Sequence, residues 1–389
     1  MTRQKAEWTT LRLDDASPRP DLTWALGQRL TVPHSLLAGG VLSPGGDGGF
    51  RIARAGLSDP QWAAALRLRA AFTEARPLSS RLPFSYQRVA PRLRSFIASC
   101  MGRLSGTAKG GYLSDAGGFP AFPLDLSSDF LSDLAGDKSP FLGQPTPLIL
   151  SHDLDSHEGL FNFLEFFAPL EEGVGAFSVN YVPSRAWPLD YKRLAEVRAR
   201  GHEIGVHGFD HSNRTAYLPQ AKREQRLDAA DALRRDFDAT GYRAPSLLRT
   251  KALLHSLSGR FLYDSSIPTS GGRFPVPDNG CATARPFLVE GIAELPLSMP
   301  RDGTLRFLGY KPEDILSLWL QCAERIAASC GVVVLLTHCE SRFSGNPPML
   351  DIYSRFLQAT LASGKYVIVR PAAVLRRAGL IPADEQEQA

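Results

Sequence analysis

From about Pro145 onward, the sequence repeats a short apolar run followed by an amphipathic helical pattern, and this alternation constrains the fold more than any other feature. Short runs rich in β-branched residues are typical of buried parallel strands, and the helices between them cover the faces of the sheet. The pattern therefore predicts an α/β fold with a parallel, barrel-like sheet.

The apolar runs predict strands over 148–150, 175–181, 203–206, 332–336 and 366–369. Helical periodicity with terminal glycine or proline signals predicts helices over 188–200, 219–240, 311–330 and 348–363. The chain before this region is divided by glycine and proline clusters, which favour turns and short strands over long helices. We therefore expect three parts: an accessory domain of mixed α and β structure at 1–144, the main α/β domain at 145–380, and a polar tail at 381–389.

Composition excludes some classes of function. The 44 Lys and Arg residues nearly balance the 40 Asp and Glu residues, so we expect no nucleic-acid partner. No apolar stretch is long enough for a secretory signal or a membrane span, which predicts a cytoplasmic protein. The five cysteines form no CxxC pair, so we expect reduced thiols and no thiolate zinc site. Oligomeric state stays open.

Ionisable residues follow three of the predicted strands. Asp153 and Asp155 come directly after the first strand, and alternation along an extended segment would point both carboxylates the same way. His207 and His211 follow the third strand, where a four-residue spacing on a helical turn would place both imidazoles on one face. His338 closes the segment VVVLLTH, two residues after the apolar run 332–336. Because functional groups of parallel barrels collect at the carboxyl ends of the strands, these side chains are expected to meet.

Each group suits a different step of a hydrolysis. One carboxylate and two neutral imidazoles hold a divalent metal while leaving positions open for water and substrate, and Asp155, His207 and His211 fit this role. The second carboxylate, Asp153, is the candidate general base. His338 is the candidate general acid. Arg243, in the segment GYRAPS, could hold the base in an ionised state by a charge-assisted hydrogen bond.

These motifs together resemble the polysaccharide deacetylase family, also called the NodB-homology or family 4 carbohydrate esterases. The resemblance covers about residues 147–375 and includes the acidic pair in SHDLDS, the histidine pair of HGFDH, the triplet Arg243-Ala244-Pro245 and the triplet Leu336-Thr337-His338. It implies a distorted (β/α)7 barrel that removes an acetyl group from an acetylated carbohydrate, with Zn²⁺ as the expected ion.

The resemblance also implies two substrate-binding residues. The backbone N–H of Ser246 would help to bind the oxyanion. Asp264, in the segment Tyr263-Asp264-Ser265-Ser266, is the candidate carboxylate partner of His338.

Two alternative functions stay open. Related barrels include metal-independent C–N hydrolases that act on small cyclic amides, although the presence of both histidines argues against that branch. A catalytically inactive, carbohydrate-binding homologue is the other alternative. The preferred hypothesis is a metal-dependent deacetylase of a sugar-containing precursor in surface polysaccharide or glycan metabolism.

Overall fold

A computed structural model of the protein describes residues 139–269, 281 and 283–382, residues 76–81, four isolated helical positions between 93 and 100, and six short strands near the N-terminus. The six strands are β1 Trp8–Thr9, β2 Leu11–Leu13, β3 Thr23–Trp24, β4 Leu30–Thr31, β5 Leu42–Pro44 and β6 Phe50–Ile52. Four of them form a sheet in the order β3-β2-β6-β5, and β1 pairs with β4. A short helix, α1, spans Leu78–Arg81. Positions 383–389 of the expected tail lie outside the described residues, and the domain boundary at residue 144 stays a prediction.

A nine-stranded sheet forms the centre of the molecule. Its strands are β7 Thr146–Asp153, β8 Ser178–Val182, β9 Glu203–Val206, β10 Gly241–Tyr242, β11 Tyr263–Asp264, β12 Phe287–Val289, β13 Ile292–Glu294, β14 Val333–His338 and β15 Tyr366–Ile368. The order is β12-β13-β11-β10-β9-β8-β7-β14, with β15 also paired to β7. All pairings are parallel except that of β12 with β13.

The sheet curls toward a barrel. Among the described strands, β13 and β14 do not pair with each other, but the chain that follows β13 contacts β14 through individual hydrogen bonds. Ser298 Oγ accepts from the backbone N–H of Val334 at 2.8 Å and donates to the Val332 carbonyl at 2.6 Å, and the Met299 N–H donates to the Val334 carbonyl at 3.3 Å. These observations confirm the predicted α/β, barrel-like architecture.

Helices cover the outer face of the sheet. They are α2 His157–Asn162, α3 Ala168–Glu172, α4 Tyr191–Ala199, α5 Gln220–Asp228, α6 Asp231–Phe237, α7 Lys251–Leu257, α8 Asp302–Phe307, α9 Pro312–Ala328, α10 Pro347–Ala362 and α11 Pro371–Arg377. A π-helical turn at Phe163–Phe167 joins α2 to α3, and 3-10 turns lie at Thr215–Tyr217 and Pro245–Leu247. Among the described helices, none has the length and apolar character that a membrane crossing requires.

One predicted helix is wrong in part. The single helix expected over 219–240 is interrupted after Asp228, so that α5 and α6 are separate. Helix α5 packs on α7, whereas α6 packs on β9 and α4. The interruption allows α5 and α6 to pack on two different surfaces. Residues 229 and 230 are both alanine, so no glycine or proline predicts the interruption from the sequence.

Alternation along the central strands decides which side chains face the barrel interior. On β7, Ile149 belongs to the interior cluster, while Leu148 and Leu150 belong to the core beneath the helices. Asp153 has the same parity as Ile149, so it faces inward at the carboxyl end of the strand. On β14, Leu336 lies in the interior cluster, so His338 faces inward too. The register pairs His338 with Asp153 on adjacent strands.

Candidate metal and catalytic centre

Two histidines surround the carboxylate of Asp155. Nε2 of His211 lies 3.2 Å from Oδ1 of Asp155, and Nε2 of His207 lies 3.5 Å from the same oxygen. The potential ligand atoms of these three residues all lie within 4.8 Å of one another. The structure therefore brings together the three residues that the sequence predicts as metal ligands.

The histidine pair is held by a turn and not by the expected helical turn. Strand β9 ends just before His207, and the chain then reverses with Gly208 at φ +67° and His211 at φ +53°. A Cβ at position 208 would lie 2.6 Å from Cδ of Pro245, so glycine is required there. The prediction of a helical face for the pair is wrong, although the two imidazoles do converge, with ring centroids 5.1 Å apart.

The three side chains fit a divalent metal. Oδ1 of Asp155 is buried and has no well-aligned hydrogen bond to a described residue, as expected of an oxygen that binds a cation. Nδ1 of His207 lies 2.9 Å from the Arg243 carbonyl, which requires a proton on Nδ1 and leaves Nε2 free to bind metal. Burial lowers the pKa of His207 to about 4, so the imidazole is neutral at physiological pH.

Arg243 holds Asp153 from behind. Its Nη1 donates to Oδ1 of Asp153 at 2.9 Å, and Nη2 donates to Ser151 Oγ at 3.1 Å. Its Nε donates to the carbonyl of Ser265 at 3.1 Å, and the guanidinium lies 4.0 Å from the centre of the Tyr181 ring. With these contacts, the buried guanidinium has a fixed direction, and its charge is balanced by the carboxylate of Asp153.

The charge of Asp153 is stabilised by its surroundings. Burial alone would raise the pKa of this carboxyl, but its electrostatic interactions with His207, Arg243 and His338 outweigh the effect of burial and hold the pKa below its ordinary value. Asp155 behaves in the same way: burial opposes ionisation, while His211 and His207 favour it and lower the pKa. Both carboxylates are therefore ionised at neutral pH.

His338 has a carboxylate partner that the sequence did not reveal. Nδ1 of His338 lies 2.8 Å from Oδ1 of Asp302, and the backbone N–H of His338 donates to Oδ2 of Asp302 at 2.8 Å. Burial alone would lower the pKa of His338, but Asp302 reverses this and the pKa is raised to about 9. The imidazole is therefore protonated at neutral pH, as a general acid requires.

The suggestion that Asp264 is the partner of His338 is therefore wrong. Asp264 is fully buried and accepts hydrogen bonds from the hydroxyl and the N–H of Ser266, at 2.7 and 3.2 Å. Burial raises the pKa of Asp264, and its carboxyl group also makes a hydrogen bond with the carboxyl group of Glu294. Asp302 is the first residue of α8 and does not directly follow a strand, so the strand-end signal that marked the other site residues was absent.

Ser246, the expected oxyanion donor, lies in the 3-10 turn after Arg243. Its φ of +52° is left-handed, which is uncommon for a residue other than glycine. Such strain is often found where a backbone group is held for a purpose. Substrate binding by Ser246 and Asp264 stays a prediction.

Glu340 is a second residue that the sequence analysis missed. It is 2% exposed, and Oε1 accepts a hydrogen bond from Ser156 Oγ at 2.7 Å. Burial and the charge of Asp155 raise the pKa of this carboxyl to about 7. Its signal in the sequence is its position two residues after His338.

Among the comparisons with known proteins, only the comparison with solved structures finds matches. No family model matches this sequence, and the search of curated proteins finds no match. A protein from Mycobacterium smegmatis assigned as a polysaccharide deacetylase is 18% identical, with 62% of this chain and 94% of that chain covered and a TM-score of 0.48.

Two further solved structures are similar to this chain at comparable coverage. An allantoinase is 16% identical over 66% of this chain and 97% of its own, with a TM-score of 0.48. A family 4 carbohydrate esterase from Streptomyces lividans, in complex with acetate, is 13% identical over 58% of this chain and 92% of its own, with a TM-score of 0.38. The solved structures similar to this chain thus include polysaccharide deacetylases, carbohydrate esterases and an allantoinase.

Proposed function

We propose that the protein is a metal-dependent hydrolase that removes an acetyl group, preferably N-linked, from an acetylated carbohydrate. The observation that carries the proposal is the convergence of Asp155, His207 and His211 beside two ionisable groups of opposite character, Asp153 and His338. Acyl hydrolysis needs an ionised base and a protonated acid in one site. The environments of Asp153 and His338 provide this by lowering the pKa of the first and raising that of the second.

The proposed metal is Zn²⁺, because two imidazole nitrogens and one carboxylate oxygen are ligands that zinc accepts with a position left for water. When bound, the ion would polarise the acyl carbonyl and lower the pKa of a water molecule. Asp155 and the two Nε2 atoms would hold it, and the hydrogen bond from His207 Nδ1 to the Arg243 carbonyl would keep that ring oriented.

The protein's own groups would move the protons. Asp153, ionised and directed by Arg243, would accept the proton of the attacking water. Its other oxygen, Oδ2, lies 3.5 Å from Nε2 of His207, so the base borders the site of the ion. His338, protonated through Asp302, would donate a proton to the departing nitrogen or oxygen of the sugar. The backbone N–H of Ser246 would stabilise the negative oxygen of the acyl group.

Acetate release from N-acetylated and O-acetylated sugar oligomers would test the proposal. The purified full chain is assayed after chelation and again after Zn²⁺ is restored. We expect loss of activity on chelation and recovery with the metal. Asp153→Asn should fold and bind Zn²⁺ as the wild type does, but lose activity by at least about 100-fold, the usual contribution of a general base.

The other outcomes distinguish the alternatives. Full activity after chelation would identify a metal-independent amide hydrolase. Zn²⁺ binding and sugar binding without any acetate release, in wild type and Asp153→Asn alike, would identify an inactive homologue. Either result would reject the proposed function.

A further inference from the structure

Glu340 is a buried carboxylate to which the proposed reaction assigns no step. Its Oε1 accepts the hydrogen bond from Ser156, whereas Oε2 is buried and has no hydrogen-bond partner among the described residues. Burying a carboxylate is unfavourable unless its surroundings compensate it. Such a residue beside an active centre calls for a physical reason.

The contact of Glu340 leads directly to the metal site. Ser156 is the neighbour of Asp155 in the chain and is the N-cap residue of α2. Its hydroxyl donates to Glu340 at 2.7 Å and accepts from the backbone N–H of Gly159 at 3.2 Å. The serine is therefore fixed from two sides, and the backbone that carries Asp155 is fixed with it.

The packing around Glu340 leaves it little freedom. A Cβ at position 159 would lie 2.7 Å from Oε1 of Glu340, so the first turn of α2 accommodates the carboxylate because that residue is glycine. Two further hydrogen bonds join the same elements: Ser341 N–H donates to Glu158 Oε1 at 3.0 Å, and Asn162 Nδ2 donates to the Cys339 carbonyl at 2.8 Å. The segment after β14 is thus fastened to the start of α2.

We propose that Glu340 is a positioning residue: through Ser156 it fixes the carboxylate of Asp155 and so sets the affinity of the site for a divalent cation. This inference rests on the proposed metal site. Hydrogen bonds around a metal site orient its ligands, and the loss of a bond made directly to a ligand usually weakens metal binding by about 10–100-fold, so we expect an effect at the lower end of that range for a bond made by the neighbouring residue.

The test is the dissociation constant of Zn²⁺ for the full chain, measured by competition with a chromophoric chelator. The variants are Ser156→Ala, Glu340→Ala, Glu340→Gln and the double variant Ser156→Ala/Glu340→Ala. We expect each alanine variant to weaken binding by about tenfold. The double variant should bind no more weakly than the weaker single variant, because both changes remove the same hydrogen bond. Glu340→Gln should restore most of the affinity, since its amide oxygen accepts the same bond.

Two control variants separate positioning from general stability. Asp190→Ala removes another N-cap bond, to the N–H of Arg193 on α4, and Glu158→Ala removes the neighbouring hydrogen bond between the same two segments. Both should bind Zn²⁺ within about twofold of the wild type. Circular dichroism of each protein establishes that it is folded.

Three outcomes would overturn the inference: single alanine variants that bind like the wild type, effects that add in the double variant, or a Glu340→Gln variant as weak as Glu340→Ala. The last result would mean that the negative charge acts directly. A wild-type protein that binds no Zn²⁺ would overturn the proposed metal site itself, and this inference with it.

Discussion

Asp302 accepts hydrogen bonds from both the ring and the backbone N–H of His338, so the imidazole is charged and also fixed in orientation. Ser344 Oγ donates to the same carboxylate at 2.7 Å. Burial alone would raise the pKa of Asp302, but His338 outweighs this and lowers it. At the scale of single residues, Asp302 supports the proposed acid, His338, while Arg243 supports the proposed base, Asp153.

Folding raises the pKa of His338 from 6.5 to about 9. The stabilisation by its charge is therefore complete below about pH 6.5 and is lost as the pH rises through about 9. For Asp302, whose pKa is lowered by folding, the stabilisation is present above 3.8 and is lost as the pH falls through the folded value. The ion pair of His338 and Asp302 therefore stabilises the fold most between about pH 3.8 and pH 6.5.

Asp302→Asn should lower the pKa of His338 from about 9 toward its ordinary value of 6.5, because the carboxylate is the group that raises it. NMR titration of the metal-free protein measures this change directly. Activity at pH 8, compared with activity at pH 6, should fall by about tenfold as the acid loses its proton. Asp264→Asn is the control: if it lowers the pKa of His338 as much, Asp302 is not the partner.

At the scale of elements, β9 and the turn that follows it bring the histidine pair to the candidate metal site. The turn uses left-handed backbone at Gly208, and its other side packs against Pro245 at the start of the 3-10 turn. The candidate metal site and the segment that carries Ser246 are therefore packed against each other.

Gly208→Ala should lower the free energy of unfolding for two reasons, the left-handed φ and the clash with Pro245. The matched control is Gly364→Ala, since Gly364 has the same φ of +67° but no atom within 4 Å of the added Cβ. We expect the control to lose about 1 kcal/mol, and Gly208→Ala to lose a further 1–3 kcal/mol, roughly the cost of overpacking. Urea unfolding of the metal-free proteins measures both. Equal losses would show that the contact with Pro245 adds no strain.

At the scale of the whole molecule, the three proposed ligands come from two strand ends, those of β7 and β9, that are far apart along the chain. A bound ion would join these segments and would stabilise the folded state, because the unfolded chain cannot present the same ligands together.

Zn²⁺ at about 100 times its dissociation constant should add about 2.7 kcal/mol to the free energy of unfolding. This corresponds to a rise in Tm of about 5–10 °C for a domain of this size, measurable by calorimetry. Asp155→Ala should abolish the rise. Glu196→Gln, on the exposed surface of α4, should preserve it. A rise that persists in Asp155→Ala would place the ion elsewhere.

Much of the fold and of the candidate site could be predicted from the sequence. The period of apolar residues marked most strands and helices, since side-chain alternation and helical periodicity are local properties. The same signals placed Asp153, Asp155, His207 and His338 at strand ends, where a parallel sheet collects them. Arg243 was predicted because a carboxylate base must be held in one direction and kept ionised, which an arginine can do by a charge-assisted hydrogen bond.

Other features depend on tertiary contacts between segments that are distant in sequence. Asp302 meets His338 because α8 packs against β14, and Glu340 meets Ser156 because the segment after β14 packs on α2. The turn at Gly208 and the break between α5 and α6 follow from the surfaces that those segments contact. The sequence by itself determined which chemical groups stand at the strand ends; the tertiary structure decided which of them are partners, because hydrogen bonds and ion pairs depend on distance in space and not along the chain.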